Sequence, residues 1–487
     1  MLPGILSIYS RKPGAQTSKG TRLSQAQPTV QSVCDAGNDA AQSGALVADA
    51  FVADVLVADV LVAGGGPAGS VAALALARAG RSVLLLEKGR HPRFHIGESL
   101  LPMSMPLLEQ LGLRERAERI GLVKRGADFP TDGRGGFNVF RFRRSLNPTF
   151  PHALQVRRAE FDELLFGAAR EAGVRACEGV EVRAVQFGAQ GVRATVVDAD
   201  GTTRACRARY FIDATGRDTL LGTSLRLKRR DRGHQSAALF AHFTGVRRRE
   251  GEDAGNISIY RTGDGWIWVI PLPGEASSVG LVCGPDTLRT RGTDATQFLL
   301  DQLRAVPGLA ERVQGARLLG HLQATGNYSY SCRRYAGPGW VLVGDALGFL
   351  DPVFSAGVHM ALVTALDAAQ LADAVLDAPA RERALQSAYE ARHRAAMRRI
   401  SWFIRRFNTP VMRRLFSTPR NDWRVEEAMI AMLAGDLHRD GGIAWRLRVF
   451  KLIYGLHALR YPRLALAGVR QCWRRARETW RPQEQRA

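Results

Sequence analysis

The chain is poor in cysteine, with six in 487 residues. They are scattered, with no C-x-x-C pair and no histidine at metal-ligand spacing, so neither zinc nor a disulfide framework is expected, and a reducing, cytoplasmic setting is. There is no uninterrupted run of eighteen apolar residues, and so no expected bilayer span. The apolar opening is broken by Pro3 and Gly4, and no signal-peptide cleavage pattern follows it. None of the ten histidines sits in a catalytic motif, and no Ser-His-Asp or metal constellation is legible. No nucleic-acid-binding module accompanies the charge, so nucleic acid is not an expected partner.

What is present is a globular composition, 46% hydrophobic, with a net charge of +22. From Arg381 onward the chain holds 24 Lys and Arg against nine Asp and Glu, a basic region that suits an acidic partner or a membrane surface. Within it Ile400, Phe403, Ile404 and Phe407 recur at helical spacing beside arginine pairs, and packing on the rest of the protein is the favoured fate of that face. Residues 1–55, rich in Ser, Gln, Gly, Ala and Asp without a period, are expected to form a disordered tail. The stutter VADVLVA occurs at 52–58 and again at 57–63. Only the second copy abuts the glycines, so Asp59–Ala63 is the expected buried strand.

GGGPAG then supplies Gly64, Gly66 and Gly69 in G-x-G-x-x-G order, with Ala68 inside the turn. A helical pattern closed by Gly80 follows, then a second apolar strand ending at Glu87. Each part has a physical use: a tight turn, close approach of backbone to pyrophosphate, close packing of helix on strand, and an acid for a ribose hydroxyl. Such a cradle suits NAD or FAD alike. Residues 174–213 alternate like a β-meander, strand-like pieces continue from Ala237 to Cys283, and the chain beyond Pro379 reads as helical. Only one dinucleotide motif occurs, so no tight NAD(P)H site is expected.

Four stretches occur in the order found in FAD proteins of the aromatic-hydroxylase type: the strand ending at Glu87, "VRRAEFDELL" with Arg158, "FIDATGRDTLLG" with Asp213, and "VGDALGFLDP" with Gly344 and Asp345. Three more narrow the likeness. "GWIWVIP", "FHIGESLLP" and "DPVFSAGVHMAL" make residues 58–460 resemble the flavin-dependent halogenases of the non-tryptophan, phenol or pyrrole type. The resemblance implies an α/β fold: a discontinuous Rossmann-like FAD domain of the aromatic-hydroxylase or glutathione-reductase type over 56–128, 151–217 and 331–378. An antiparallel substrate sheet would cover 129–150 and 218–330, and a helical region 379–487. It implies FADH2-dependent conversion of chloride or bromide to hypohalous acid, which travels through a dry tunnel and halogenates an electron-rich aromatic or polyene precursor in secondary metabolism.

On that resemblance Lys124, in "GLVKRGADF", presents the oxidant to substrate, its pKa lowered by burial beside cations such as Arg125. Trp266 and Trp268, two apart on a strand, form one flat wall lining the tunnel. Ser355, Gly357 and Val358 hold the halide through backbone N–H groups, although Ala356 stands where many relatives carry a second serine. Glu98 polarises substrate, steadies the lysine or caps the helix at Pro102. The resemblance also implies a separate NAD(P)H flavin reductase and leaves room for a carrier protein bearing tethered substrate or a lipid-like phenol on a membrane. The rivals are an FAD-dependent aromatic monooxygenase or prenyl-type reductase on the same fold, and a degenerate flavin-binding scaffold.

Overall fold

The computed structural model describes residues 56–478 apart from 132–135, 148–149, 232–235, 327–328, 418 and 440; the expected tail lies outside the described residues. Strands β1 (Leu56–Ala63) and β2 (Val83–Glu87) flank helix α1 (Pro67–Arg78), and β3 (Gly121–Lys124), β4 (Gly126–Pro130), β5 (Phe137–Arg141) and β6 (Ala153–Val156) lead to α2 (Arg158–Glu171). Next come β7 (Arg175–Glu178), β8 (Glu181–Gly188), β9 (Gly191–Val197), β10 (Thr203–Asp213), β11 (Lys228–Arg230), β12 (Ala237–Thr244), β13 (Ile257–Arg261), β14 (Trp266–Pro271) and β15 (Ser277–Cys283). Strands β16 (Arg317–Gly326), β17 (Tyr330–Cys332), β18 (Ala336–Gly337), β19 (Trp340–Leu342) and β20 (Gly348–Phe349) close the sheet-forming part. The remainder is helical: α3 (Ala356–Asp377), α4 (Glu382–Arg406), α5 (Pro410–Ser417), α6 (Val425–Leu433), α7 (Ile443–Arg460) and α8 (Pro462–Glu478).

The central sheet runs β18-β19-β10-β1-β2-β7, and β19, β10, β1, β2 and β7 are parallel. A parallel sheet is covered on both faces, which explains the unbroken apolar runs of β1 and β2. Leu61, Val62, Leu84 and Leu85 are each 1% exposed or less, a burial that contributes roughly 1.5–3 kcal/mol per side chain. The strand starts at Leu56 rather than Asp59, because Leu56–Ala58 pair with Cys206–Ala208 of β10; part of the first VADVLVA copy is therefore structural. The expected meander is real for β8, β9 and β10, but β7 leaves it to pair in parallel with β2.

The second sheet runs β16-β12-β15-β14-β13-β4-β5. It begins at Gly126 rather than residue 129, since Ala127 and Asp128 pair with Ile257 and Ser258. One face of it packs on the helical region, where Ile400, Phe403, Ile404 and Phe407 are 5% exposed or less. The favoured packing reading of that stretch therefore holds. Its arginines are occupied too: Arg405 pairs with Asp231 at 2.8 Å and Arg399 donates to Leu437 O at 2.9 Å. Helix α3 is long and apolar enough to cross a bilayer, with mean hydropathy 1.2, but 78% of that window is buried between the two sheets' cores.

Three histidines pack where α3 and α4 meet the loop after α6. His393 and His438 share a hydrogen bond of 3.2 Å, His393 lies 3.1 Å from Asp367, and the His359 and His438 rings are 6.4 Å apart. Burial first, and for His438 its two neighbours next, push His359 down to about 4 and His438 to about 3, from 6.5. The folded state therefore refuses protons that the unfolded chain accepts below about 6.5. Their contribution to stability is full above that pH and falls as pH drops toward about 4; Asp436 and Asp367 oppose the depression, whereas Arg392 adds to it. Thermal unfolding followed by circular dichroism from pH 7.5 to 4.5 is expected to show this decline, and His438→Asn to flatten it.

Candidate functional site

The glycine turn is built on close approaches. Gly64 has φ +104°, and a Cβ there would lie 2.3 Å from Ala214 O; a Cβ on Gly69 would lie 1.7 Å from Gly64 O. Only glycine lets α1 begin against the end of β1. At Gly66 the nearest atom to a Cβ would be an Arg93 nitrogen at 3.9 Å, and Gly66 lines a cavity of about 1170 Å³ together with Gly64, Ala68 and Glu87. Glu87 braces the turn, accepting from Gly65 N–H at 2.6 Å and Gly89 N–H at 2.8 Å.

Farther along this cavity lie Arg158, Gly344 and Asp345, then Ser355, Ala356, Gly357 and Val358 at the start of α3. Arg158 is buried and grips Asp162 with two bonds, 2.7 and 2.9 Å, while donating to Ile96 O at 2.7 Å. Burial raises the Asp345 carboxyl to about 6 against the pull of Arg158 and Arg217. Ser355 is left-handed (φ 55°) and its side chain makes no cap bond, so the first-turn N–H groups of α3 face the cavity with the positive end of the helix behind them. Nothing lies within 4 Å of a Cβ on Gly357. A cavity of this size lined by both an open glycine turn and a helix N-terminus fits FAD, with Gly64, Gly66, Ala68, Glu87, Arg158 and Asp345 as the residues that would hold it. Asp213 is placed differently: its oxygens accept from Thr215 N–H, Thr215 Oγ1 and Leu221 N–H at 2.6–3.0 Å. It shapes the loop beside the cavity rather than lining it.

Trp266, Trp268 and Ile270 of β14, with Ala238 and Phe240 of β12, form the sheet-side wall. The two indoles are 5.6 Å apart but inclined by 45°, so the expected flat wall is faceted. The reason lies behind them: Gly280 faces Trp268 across the strands, where a Cβ would come within 2.1 Å of the indole, and each N–H has its own acceptor. Trp266 donates to Asp351 at 3.0 Å and Trp268 to Ser278 at 3.1 Å.

Lys124 ends β3 and is 2% exposed; its Nζ donates to Ser99 Oγ at 2.9 Å and Leu100 O at 3.0 Å, and sits 5.2 Å from the Phe142 ring centre. Burial alone pushes its ammonium down to about 7; the adjacent Arg125 contributes nothing to that shift, contrary to the sequence expectation. Ser99 lines the cavity and Lys124 stands directly behind it. Glu98 is 1% exposed, also on the wall, and accepts from His242 Nε2 at 2.6 Å. It does not cap the turn at Pro102–Ser104, which has no side-chain cap. Sequence reasoning missed His242, Ser99 and Asp351. His242 stands two residues from Phe240 on the same face of β12, a period-two signal visible in the sequence only once that face is known to line a site.

Residues 57–402 match the FAD binding domain family. Among curated proteins the chain is 34% identical over 333 residues to the flavin-dependent halogenase rdc2 of Metacordyceps chlamydosporia and 36% identical over 316 residues to a tryptophan 2-halogenase of Chondromyces crocatus. Each match covers 63% of this chain, and the chain spans 63% and 59% of those relatives' lengths. Among solved structures it is similar to the flavin-dependent brominase Bmp2 (26% identity, TM-score 0.72, 84% of this chain and 99% of that one) and to a flavoprotein/dehydrogenase from Cytophaga hutchinsonii (26%, TM-score 0.76, 83% and 99%). The likeness to the flavin-dependent halogenases is thus borne out in sequence and in fold. Gly66→Ala, whose methyl points into the cavity rather than into protein, is expected to fold normally and to bind FAD about tenfold or more weaker in a fluorescence-quenching titration.

Proposed function

We propose, for a chain that belongs to the FAD binding domain family, that it is an FADH2-dependent halogenase acting on an electron-rich aromatic or polyene precursor. Reduced FAD bound in the cavity supplies, with O2, the oxidation of chloride or bromide to hypohalous acid. The backbone N–H groups of Gly357 and Val358 bind the halide, with Ser355 holding the left-handed turn that aims them. Trp266, Trp268 and Phe240 exclude water along the sheet side, which keeps a small reactive oxidant from being lost. Lys124 holds it by N–H donation, exchanging its bond to Ser99 for one to the oxidant.

The observation that carries this reading is Lys124 itself: a buried amine with no carboxylate among its hydrogen-bond partners, one side chain away from the cavity wall. Removing an amine from water costs several kcal/mol unless it is paired, and a titration point near 7 suits a group that must donate and release protons at neutral pH. A monooxygenase or prenyl-type reductase would give that amine no task, and a binding scaffold would have no use for an open helix terminus beside it. The single dinucleotide turn supports a separate flavin reductase as the source of FADH2, in a cytoplasmic setting.

The basic partner surface is better sought on α7 and α8 than on α4. Leu452, Leu456, Leu459, Leu466 and Val469 are 50–78% exposed, and residues 441–477 contain no Asp or Glu. These side chains line a shallow aliphatic groove between the two helices, and such a groove in a purely basic field matches an anionic lipid surface, each basic residue near it adding about 1 kcal/mol. Leu456→Glu with Leu459→Glu is expected to abolish co-sedimentation with phosphatidylglycerol vesicles. Binding to an acyl carrier protein and not to vesicles would overturn the lipid reading.

Lys124→Ala and the longer, uncharged Lys124→Met are both expected to lower halogenated product by about 100-fold or more while FADH2 is still oxidised. The assay supplies FADH2, O2, bromide and a panel of phenols and pyrroles, with products resolved by mass. A hydroxylated product at undiminished rate would sink the proposal.

A further inference from the structure

The Glu98–His242 pair has no role in the reading above. Glu98 Oε1 takes the 2.6 Å bond from His242, while Oε2, almost wholly shielded, has no hydrogen-bond partner among the described residues. A shielded carboxylate oxygen left unsatisfied is destabilising, so its position on the wall of a cavity asks for a donor from within. Neither neighbouring cation reaches it: Arg158 is turned to Asp162 and Ile96 O, and Lys124 to Ser99 and Leu100, and no bond from either to Glu98 Oε2 is formed. His95, the other titratable group in this segment, bonds Ile96 O. His242 is itself 17% exposed at its side chain and edges the half-exposed Phe94 ring at 5.2 Å. The pair therefore runs from the cavity interior to the protein surface, past Phe240, whose ring lies 5.8 Å from that of Trp268.

We infer that Glu98 Oε2 is the acceptor for an O–H or N–H borne directly on the substrate ring, and that His242 is the positioning residue that holds the carboxylate and links it to solvent. The inference rests on the halogenase reading and narrows it to rings carrying an ionisable donor, excluding polyenes and fully alkylated rings. In the step itself the substrate's O–H or N–H bond breaks, the electron pair stays on the ring heteroatom, and the proton joins Glu98; His242 exchanges that proton with water. The ring then holds more electron density when it meets the electrophilic halogen.

The experiment compares a phenol with its methyl ether, which has the same ring and no donor. In the native enzyme, kcat/KM for the phenol is expected to exceed that for the ether by about 100-fold or more, the usual reach of a positioned base. Glu98→Gln should bring that ratio near unity. His242→Phe should lower the phenol rate about tenfold and shift its pH profile, and His242→Gln, which can still donate, should restore part of the rate. Equal rates for phenol and ether in the native enzyme, or a ratio unmoved by Glu98→Gln, would overturn the inference. Trapping of hypohalous acid by 2-chlorodimedone keeps the two failures apart: a native enzyme that makes none refutes the halogenase reading, whereas one that makes it without discriminating refutes only this inference.

Discussion

The hydrogen bond from the Trp266 indole to Asp351 joins two parts of the molecule that also pack through apolar contact. Asp351 accepts from Trp266 Nε1 at 3.0 Å and from Val353 N–H at 3.1 Å with the same oxygen. One end of that link is the wall of the seven-stranded sheet and the other is the short turn that delivers Ser355 and the first N–H groups of α3 to the cavity. With the packing of Val353, Phe354 and Met360 in the same apolar cluster as the tryptophans, it fixes how far the aromatic wall stands from the helix terminus. A buried indole N–H and a carboxylate 5% exposed each need the other, so the link both costs nothing in unsatisfied polarity and sets the width of the site.

Desolvation acts on two charged groups around the cavity with opposite consequences. It pulls Lys124 down to about 7 and lifts Asp345 to about 6, bringing an amine and a carboxyl into the range where both change charge near neutrality. For Arg158 desolvation is outweighed by the Asp162 carboxylate, with Asp345 and Glu98 adding to it, and the guanidinium stays charged. The cavity is thus a place where ionisation is adjustable, bordered by groups whose ionisation is locked.

Much of the fold was legible. The glycine turn needs Gly64, Gly66 and Gly69 because three different steric demands fall on them, and those demands are local enough to be read from spacing. The strand–helix–strand unit, the helical C-terminal region and the burial of Ile400, Phe403, Ile404 and Phe407 follow from periodicity. The boundary of the second sheet was misjudged because β4 pairs with β13, more than a hundred residues away, and no local pattern encodes that register. Lys124 drew attention only through its likeness to a family motif; in isolation a lysine between Val123 and Arg125 looks like surface.

The amino-acid sequence by itself determined the dinucleotide turn, the order of the elements and the basic, acid-free C-terminal segment, since these depend on backbone sterics, hydrophobic period and formal charge, all properties of neighbouring residues. Only the tertiary structure decided that Lys124 lies behind Ser99, that the two tryptophans are inclined over Gly280, and that His242 reaches Glu98 across 144 positions. Those outcomes hinge on which side chains are stripped of water together, and solvent exclusion is a property of the closed core, not of any stretch of chain.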